Sequence, residues 1–341
     1  MSQNTESANK NISQELILKA SNIKKFFPIK KGFFLKTVGQ VKAVDDVSLE
    51  VKKGETLGLV GESGCGKSTL GRTLIRLYEP TSGEIEFEQK NFLKLSGGQL
   101  RQLRKDIQMI FQDPYASLDP RMTVGQILRQ PFDIHNVGSS AERTARVKEL
   151  LELVGLKASH VNRYPHEFSG GQRQRICIAR AIALNPKLII CDEPVSALDV
   201  SIQAQILNLL KDLQEKLGLT YVFISHDLSV IEYFCDRVAV MYLGKIVEIG
   251  SREEIFNNPK HPYTQALLSA IPRVGEGKKQ MKKSLSGEVP SPINPPSGCT
   301  FHPRCQFCMP ECSQKTPTLV GSPKQMAACW LYDNQLNLIK K

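Results

Sequence analysis

The chain has 341 residues, 41% hydrophobic and 23% charged, enough for one large domain with an appendage or two modest domains of ordinary soluble composition. No apolar run approaches the ~18–20 residues that span a bilayer, and the amino-terminal MSQNTESANKNISQ is polar rather than signal-like, so any membrane role is expected to be peripheral. The net charge of +11, with basic runs at 24–36 and 278–283, fits a solvated basic surface or a face near anionic lipid; no aromatic-interleaved basic stripe indicates nucleic acid.

Residues 1–15 are expected to be disordered. From Leu16 to about Gly250, short apolar runs alternate with helical patterns, the rhythm of an α/β domain. "TLGLVGES", "LIICDEP" and "YVFISHD" each end abruptly in polar residues. Such runs suit buried parallel strands that deliver functional groups at their C-terminal ends. Residues 123–158 read as a mainly helical insertion, broken at Pro131 and turned at 138–140. After Pro272, a Pro-, Gly-, Ser- and Lys-rich stretch reads as an extended linker.

The stretch "GESGCGKST" spans Gly61, Ser63, Gly64, Cys65, Gly66, Lys67, Ser68 and Thr69, between an apolar run and the helix-like LGRTLIRLY. This is G-x-x-x-x-G-K-[ST] in a strand–loop–helix setting. Its glycines let successive backbone N–H groups face phosphate oxygens at a helix N-terminus. Lys67 then reaches the β- and γ-phosphates of a nucleotide, and the Ser68 hydroxyl joins a Mg²⁺ shell. In "LIICDEP", Asp192 at a strand end suits Mg²⁺, and its neighbour Glu193 suits a general base for the attacking water.

These motifs, with "FQDP" (111–114), "FSGGQ" (168–172), "SALD" (196–199) and "ISHD" (224–227) in the same order, resemble an ABC-transporter ATPase subunit. "MIFQDPYASLDPRMTV" and "HPYTQALLSAIP" resemble the oligopeptide/dipeptide importer branch, in particular its second, F-type ATPase subunit. The resemblance implies a P-loop NTPase core of ABC type with an antiparallel β edge. A helical signature subdomain (about 115–184) lies within an ATPase domain at 16–256. An HPY segment and linker (257–298) and a small cysteine-rich, metal-binding extension (299–341) follow.

It also implies roles for residues. Gln112 contacts Mg²⁺ or the water and reports occupancy to a transmembrane partner, and His226 lies against the γ-phosphate. Phe27, preferred over Phe26, stacks on adenine. Asp199 and the signature Ser169, Gly170, Gly171 and Gln172 face the phosphate site of an opposing subunit. The implied partners are a second ABC ATPase as heterodimer, two permease subunits and an extracytoplasmic solute-binding protein, at the cytoplasmic face of the membrane. Import of nickel or another small solute is the nearest alternative. A soluble ABC protein acting on nucleic acid or ribosomes fits less well, because the chain has a single phosphate loop and no long coiled-coil insertion.

Two stretches spell the signature. LSGGQ at 95–99 precedes the Gln112 loop, whereas FSGGQ at 168–172 follows it and leads toward Asp192. The second therefore reads as the signature, and the first as a helix start capped by Ser96.

Five cysteines, Cys299, Cys305, Cys308, Cys312 and Cys329, crowd the tail. In a reducing compartment such clustering points to metal rather than disulfides, and four thiolates suit either Zn²⁺ or an iron–sulfur cluster. The resemblance implies a 4Fe–4S cluster on Cys299, Cys305, Cys312 and Cys329, with Cys308 as an additional candidate.

Overall fold

The computed structural model describes residues 15–33, 35–270 and 287–332. The basic run at 278–283, nearly all of the 1–15 segment and the middle of the expected linker lie outside them.

In chain order the elements are β1 (Leu16–Lys31), β2 (Lys36–Lys52), β3 (Thr56–Val60), α1 (Lys67–Leu74), β4 (Ser82–Phe87), β5 (Lys90–Asn91), α2 (Gly97–Leu103) and β6 (Ile107–Ile110). Then come α3 (Pro114–Ser117), α4 (Val124–His135), α5 (Ser140–Leu153), α6 (Gly170–Ile182), β7 (Leu188–Asp192), α7 (Val200–Leu217), β8 (Thr220–Ile224) and α8 (Leu228–Phe234). The rest are β9 (Arg237–Tyr242), β10 (Lys245–Ser251), α9 (Arg252–Asn257), α10 (Pro262–Ser269), α11 (Pro310–Gln314), β11 (Val320–Ser322) and β12 (Gln325–Ala327).

An eight-stranded sheet runs in the order β11-β12-β10-β9-β3-β8-β7-β6. The strands from β9 to β6 are parallel, and β10, β12 and β11 extend the sheet antiparallel. Every residue of β3, β7 and β8 is buried, as a parallel sheet covered on both faces requires. Side chains alternate between two cores. Ile189, Cys191, Tyr221 and Phe223 pack with the helical insertion and α7. Leu188, Ile190, Val222 and Ile224 pack with α1 and the antiparallel sheet β2-β1-β4-β5.

One sequence reading needs correction. Pro131 does not break the insertion: α4 runs through it to His135 and stops at Asn136, whose left-handed φ of 52° ends the helix. Burial of Val124, Ile127, Leu128 and Phe132 outweighs the cost of about 3 kcal/mol for an interior proline. The turn at 138–140 does form, with Ser139 capping α5 through Glu142.

The region after 256 packs against the main domain. Residues 262–269 form α10, with His261 and Tyr263 fully buried. Further on, β12 pairs with β10. The fully buried Glu248 carboxylate accepts from the N–H groups of Lys260 (2.8 Å) and His261 (2.9 Å) and from Gln325 Nε2 (2.8 Å). The cysteine-bearing tail is thus sewn into the edge of the main sheet.

Candidate nucleotide site

The loop between β3 and α1 is shaped by its glycines. Gly66 has φ +105°, and a Cβ there would stand 2.0 Å from the Ala43 carbonyl oxygen, so no other residue fits. Lys67, 5% exposed, donates to the carbonyls of Gly61 (2.7 Å) and Glu62 (3.0 Å). A cleft of about 630 Å³ opens beside it, lined by Ser63, Gly64, Gly66, Lys67, Ser68 and Thr69 from this loop. Gly61 and Cys65 do not line it, and Cys65 is buried with its thiol turned inward, 3.8 Å from Lys67 Nζ.

Asp192 ends β7 with no exposed surface and reaches the loop at Ser68. Its Oδ1 accepts from Ser68 Oγ at 2.6 Å, and its Oδ2 from Arg72 at 3.2 Å. A hydroxyl and a carboxylate so close form the oxygen donor set that a hard cation prefers, so these residues fit Mg²⁺. The next residue, Glu193, has φ +49°. Its Oε2 accepts from Gln112 Nε2 at 2.9 Å and lies 3.2 Å from His226 Nδ1. Gln112, Glu193 and His226 all line the same cleft, although 114 residues separate the first from the last.

Phe27 lines the cleft with Val41 and Ala43, whereas Phe26 does not. Its ring meets Tyr78 edge-on at 5.6 Å, and Lys25 Nζ stands 4.9 Å from its centroid.

Ser169, Gly170, Gly171, Gln172 and Asp199 do not line the cleft. Ser169 caps α6 in a reciprocal pair with Gln172 (3.1 and 3.3 Å). Gly170 and Gly171 face Leu198 and Ile202, so the signature and the Asp199 corner share one neighbourhood. Asp199 is itself exposed at the start of α7. Ser96 starts α2, which buries none of its own residues and lies before β6, in the core rather than the insertion.

In the tail, burial pushes the Cys299 thiol up to about 12, with further influence from Cys312, Cys329 and Cys305. Cys329 rises to about 11 by burial, with Cys305 and Cys312 contributing. Cys312 is buried, Cys299, Cys305 and Cys329 are half-buried, and Cys308 is exposed. Among the described residues, no three His, Cys, Asp or Glu side chains converge closely enough to share a single ion.

Sequence reasoning missed Arg72, Glu62, Arg304 and Pro292. Arg72 was within reach, because four residues after Ser68 it shares the same helix face. Glu62 sits inside the quoted loop, but its pairing with Arg304, like the place of Pro292, is a long-range contact without a local signature.

A glycine-cradled lysine, a buried Ser–Asp pair and a Gln–Glu–His group on a covered parallel sheet are the features of a phosphate-loop nucleoside-triphosphate-binding protein of the ATP-binding-cassette class. A family profile described as ABC transporter matches residues 44–196, and one described as oligopeptide/dipeptide transporter, C-terminal region, matches 247–312. The chain is 57% identical over 324 residues to the oligopeptide transport ATP-binding protein AppF of Bacillus subtilis, covering 94% of this chain and 98% of that one. It is 51% identical over 324 residues to the dipeptide transport ATP-binding protein DppF of Escherichia coli, covering 95% and 97%. Among solved structures, the dimeric post-hydrolysis state of the ATP-binding cassette MJ0796 bound to ADP and Pi matches with a TM-score of 0.61 and 33% identity, over 69% of this chain and 98% of that one. The chain belongs to the ATP-binding subunits of ABC transporters, in the oligopeptide/dipeptide branch.

Proposed function

We propose that this chain binds and hydrolyses ATP to energise uptake of oligopeptides or dipeptides. It works beside a second ATPase subunit, beneath two permease subunits served by an extracytoplasmic solute-binding protein. The reading rests on one observation: Gln112, Glu193 and His226 meet at the same cleft that Lys67, Ser68 and Phe27 line. No helix among the described residues is long and apolar enough to cross a membrane, which suits a peripheral subunit docked on the cytoplasmic side of its permeases.

In this reading the backbone N–H groups of 63–69 and the Lys67 ammonium hold the β- and γ-phosphates. Phe27 offers a π-face to adenine, worth about 1–3 kcal/mol. Glu193 accepts the proton of the attacking water, with Gln112 and His226 fixing its carboxylate at 2.9 and 3.2 Å. A bound Mg²⁺ supplies charge neutralisation at the phosphate oxygens, and Ser68, Asp192 and Gln112 are the residues to hold it. Ser169–Gln172 and Asp199, away from their own chain's cleft, serve the site of the partner ATPase in a head-to-tail heterodimer. Cys299, Cys305, Cys312 and Cys329 would hold a 4Fe–4S cluster of structural role; iron and sulfide content with an absorption spectrum would distinguish it from zinc.

The test is Glu193→Gln in the assembled transporter. ATP binding should persist while hydrolysis and labelled-peptide uptake fall by about 10²- to 10⁴-fold, the range for loss of a general base. Hydrolysis at the wild-type rate would remove Glu193 from this role.

A further inference from the structure

The cleft has a wall from an unexpected part of the chain. Pro292, from the proline-rich stretch after Gly287, lines it together with Phe27, Val41 and Ala43. Its position is fixed by the backbone. β2 is an edge strand of the antiparallel sheet, and the Lys42 N–H, between the two cleft-lining residues Val41 and Ala43, donates to the Pro292 carbonyl at 3.1 Å. Next to it, the Ile293 side chain lies over Gly39, where a Cβ would come 4.0 Å from Ile293 Cγ2 and 3.7 Å from Ile29 Cδ1.

The same C-terminal segment also grips the phosphate loop. Arg304, almost fully buried, makes a two-pronged pair with the loop residue Glu62, at 2.8 and 3.1 Å. The Glu62 N–H donates to the Tyr263 hydroxyl at 2.8 Å, and Arg304 stands 5.9 Å from the Tyr242 ring centroid. A planar guanidinium bound to both carboxylate oxygens holds orientation as well as distance. The segment therefore meets the cleft directly at Pro292 and the phosphate loop through the Arg304–Glu62 ion pair.

The geometry points to the C-terminal segment as part of the nucleotide site itself. Pro292 is a specificity-determining wall for the base, and Arg304 is a positioning residue that sets the phosphate loop through Glu62. This inference rests on the reading of the cleft as the ATP site. The division of labour is chemical. Pro292 can recognise only a flat apolar surface, so it acts on nucleotides and not on free polyphosphate. Arg304 reaches the ligand solely through the loop, so it acts on both.

The test is equilibrium binding by the full-length chain, with ATP and inorganic tripolyphosphate as probes. Pro292→Gly should weaken ATP by about tenfold, within the range for removal of one stacking or apolar base contact, and leave tripolyphosphate unchanged. Arg304→Met should weaken both probes by a similar factor, with Arg304→Lys intermediate. Pro295→Ala, in the same stretch but away from the cleft, should match wild type. Unchanged ATP affinity in Pro292→Gly, or an equal loss for both probes, overturns the base wall while leaving the ATP-site reading intact. Arg304→Met with wild-type affinity for tripolyphosphate overturns the positioning role. A wild-type chain that binds tripolyphosphate but not ATP overturns the ATP-site reading and this inference with it.

Discussion

Asp192 shows how much of the site depends on one enclosed charge. A carboxylate with no exposed surface is tolerated because Ser68 and Arg72 donate to its two oxygens, at 2.6 and 3.2 Å. Arg72 is itself steadied by the Tyr78 hydroxyl at 3.3 Å, so the residue that places Asp192 also touches the neighbour of Phe27. Arg72→Met should leave one carboxylate oxygen without its donor. Because a third of the arginine side chain is exposed, water tempers the loss, and the expected destabilisation is roughly 1–2 kcal/mol. Urea unfolding of Arg72→Met and Arg72→Lys measures it, with the lysine variant retaining part of the stability. A methionine variant as stable as wild type would mean that Ser68 alone satisfies Asp192.

At the scale of single elements, α2 and α6 carry nearly the same letters and differ in what surrounds them. Both begin at a serine paired with a glutamine three residues on. The helix α2 buries none of its residues, whereas α6 buries Arg173, Gln174, Ile176, Cys177, Ile178, Ala179, Ala181 and Ile182. In the proposed function the signature meets a phosphate on another chain and must be held rigidly, and of the two helices α6 has the packing for that role. Spelling could not separate the two helices, but order along the chain could, because position relative to Gln112 decides which subdomain a helix joins. The phosphate loop and the Asp192–Glu193 pair were equally legible, since each is set by an unbroken strand-to-loop run. Pro131 misled because a local helix penalty says nothing of the four apolar residues that α4 buries. The expected contrast is therefore sharp. Ser96→Ala should cost about 0.5–2 kcal/mol of stability with hydrolysis unchanged, while Ser169→Ala should depress ATP hydrolysis by the assembled transporter. Thermal melts and turnover assays on both variants check it, and a reversed pattern would move the signature to 95–99.

Across the whole molecule, what the sequence hid is the return of the chain's end to its beginning. Nothing local in Arg304 or Pro292 announces a partner more than 200 residues away, and a Pro- and Gly-rich stretch reads as linker until a long-range hydrogen bond fixes it. The knot that holds this return is Glu248 with His261 and Gln325. His261 is wholly enclosed against Phe301, with Nδ1 accepting from the Tyr263 N–H at 3.1 Å. Burial pushes its imidazole down to about 3, against an ordinary value near ~6.5 in the unfolded chain. Between those values the unfolded chain binds a proton that the folded chain refuses, so stability falls as the pH drops through that window and is fully present above it. Acidification from pH 7 to pH 5 should remove roughly 2 kcal/mol through this residue alone. His261→Asn keeps an acceptor at the start of α10 and cannot titrate, so its unfolding free energy should lack that part of the acid slope. Denaturant titrations of both proteins at pH 5, 6 and 7 read the difference, and equal slopes would show that the folded chain accommodates a protonated His261.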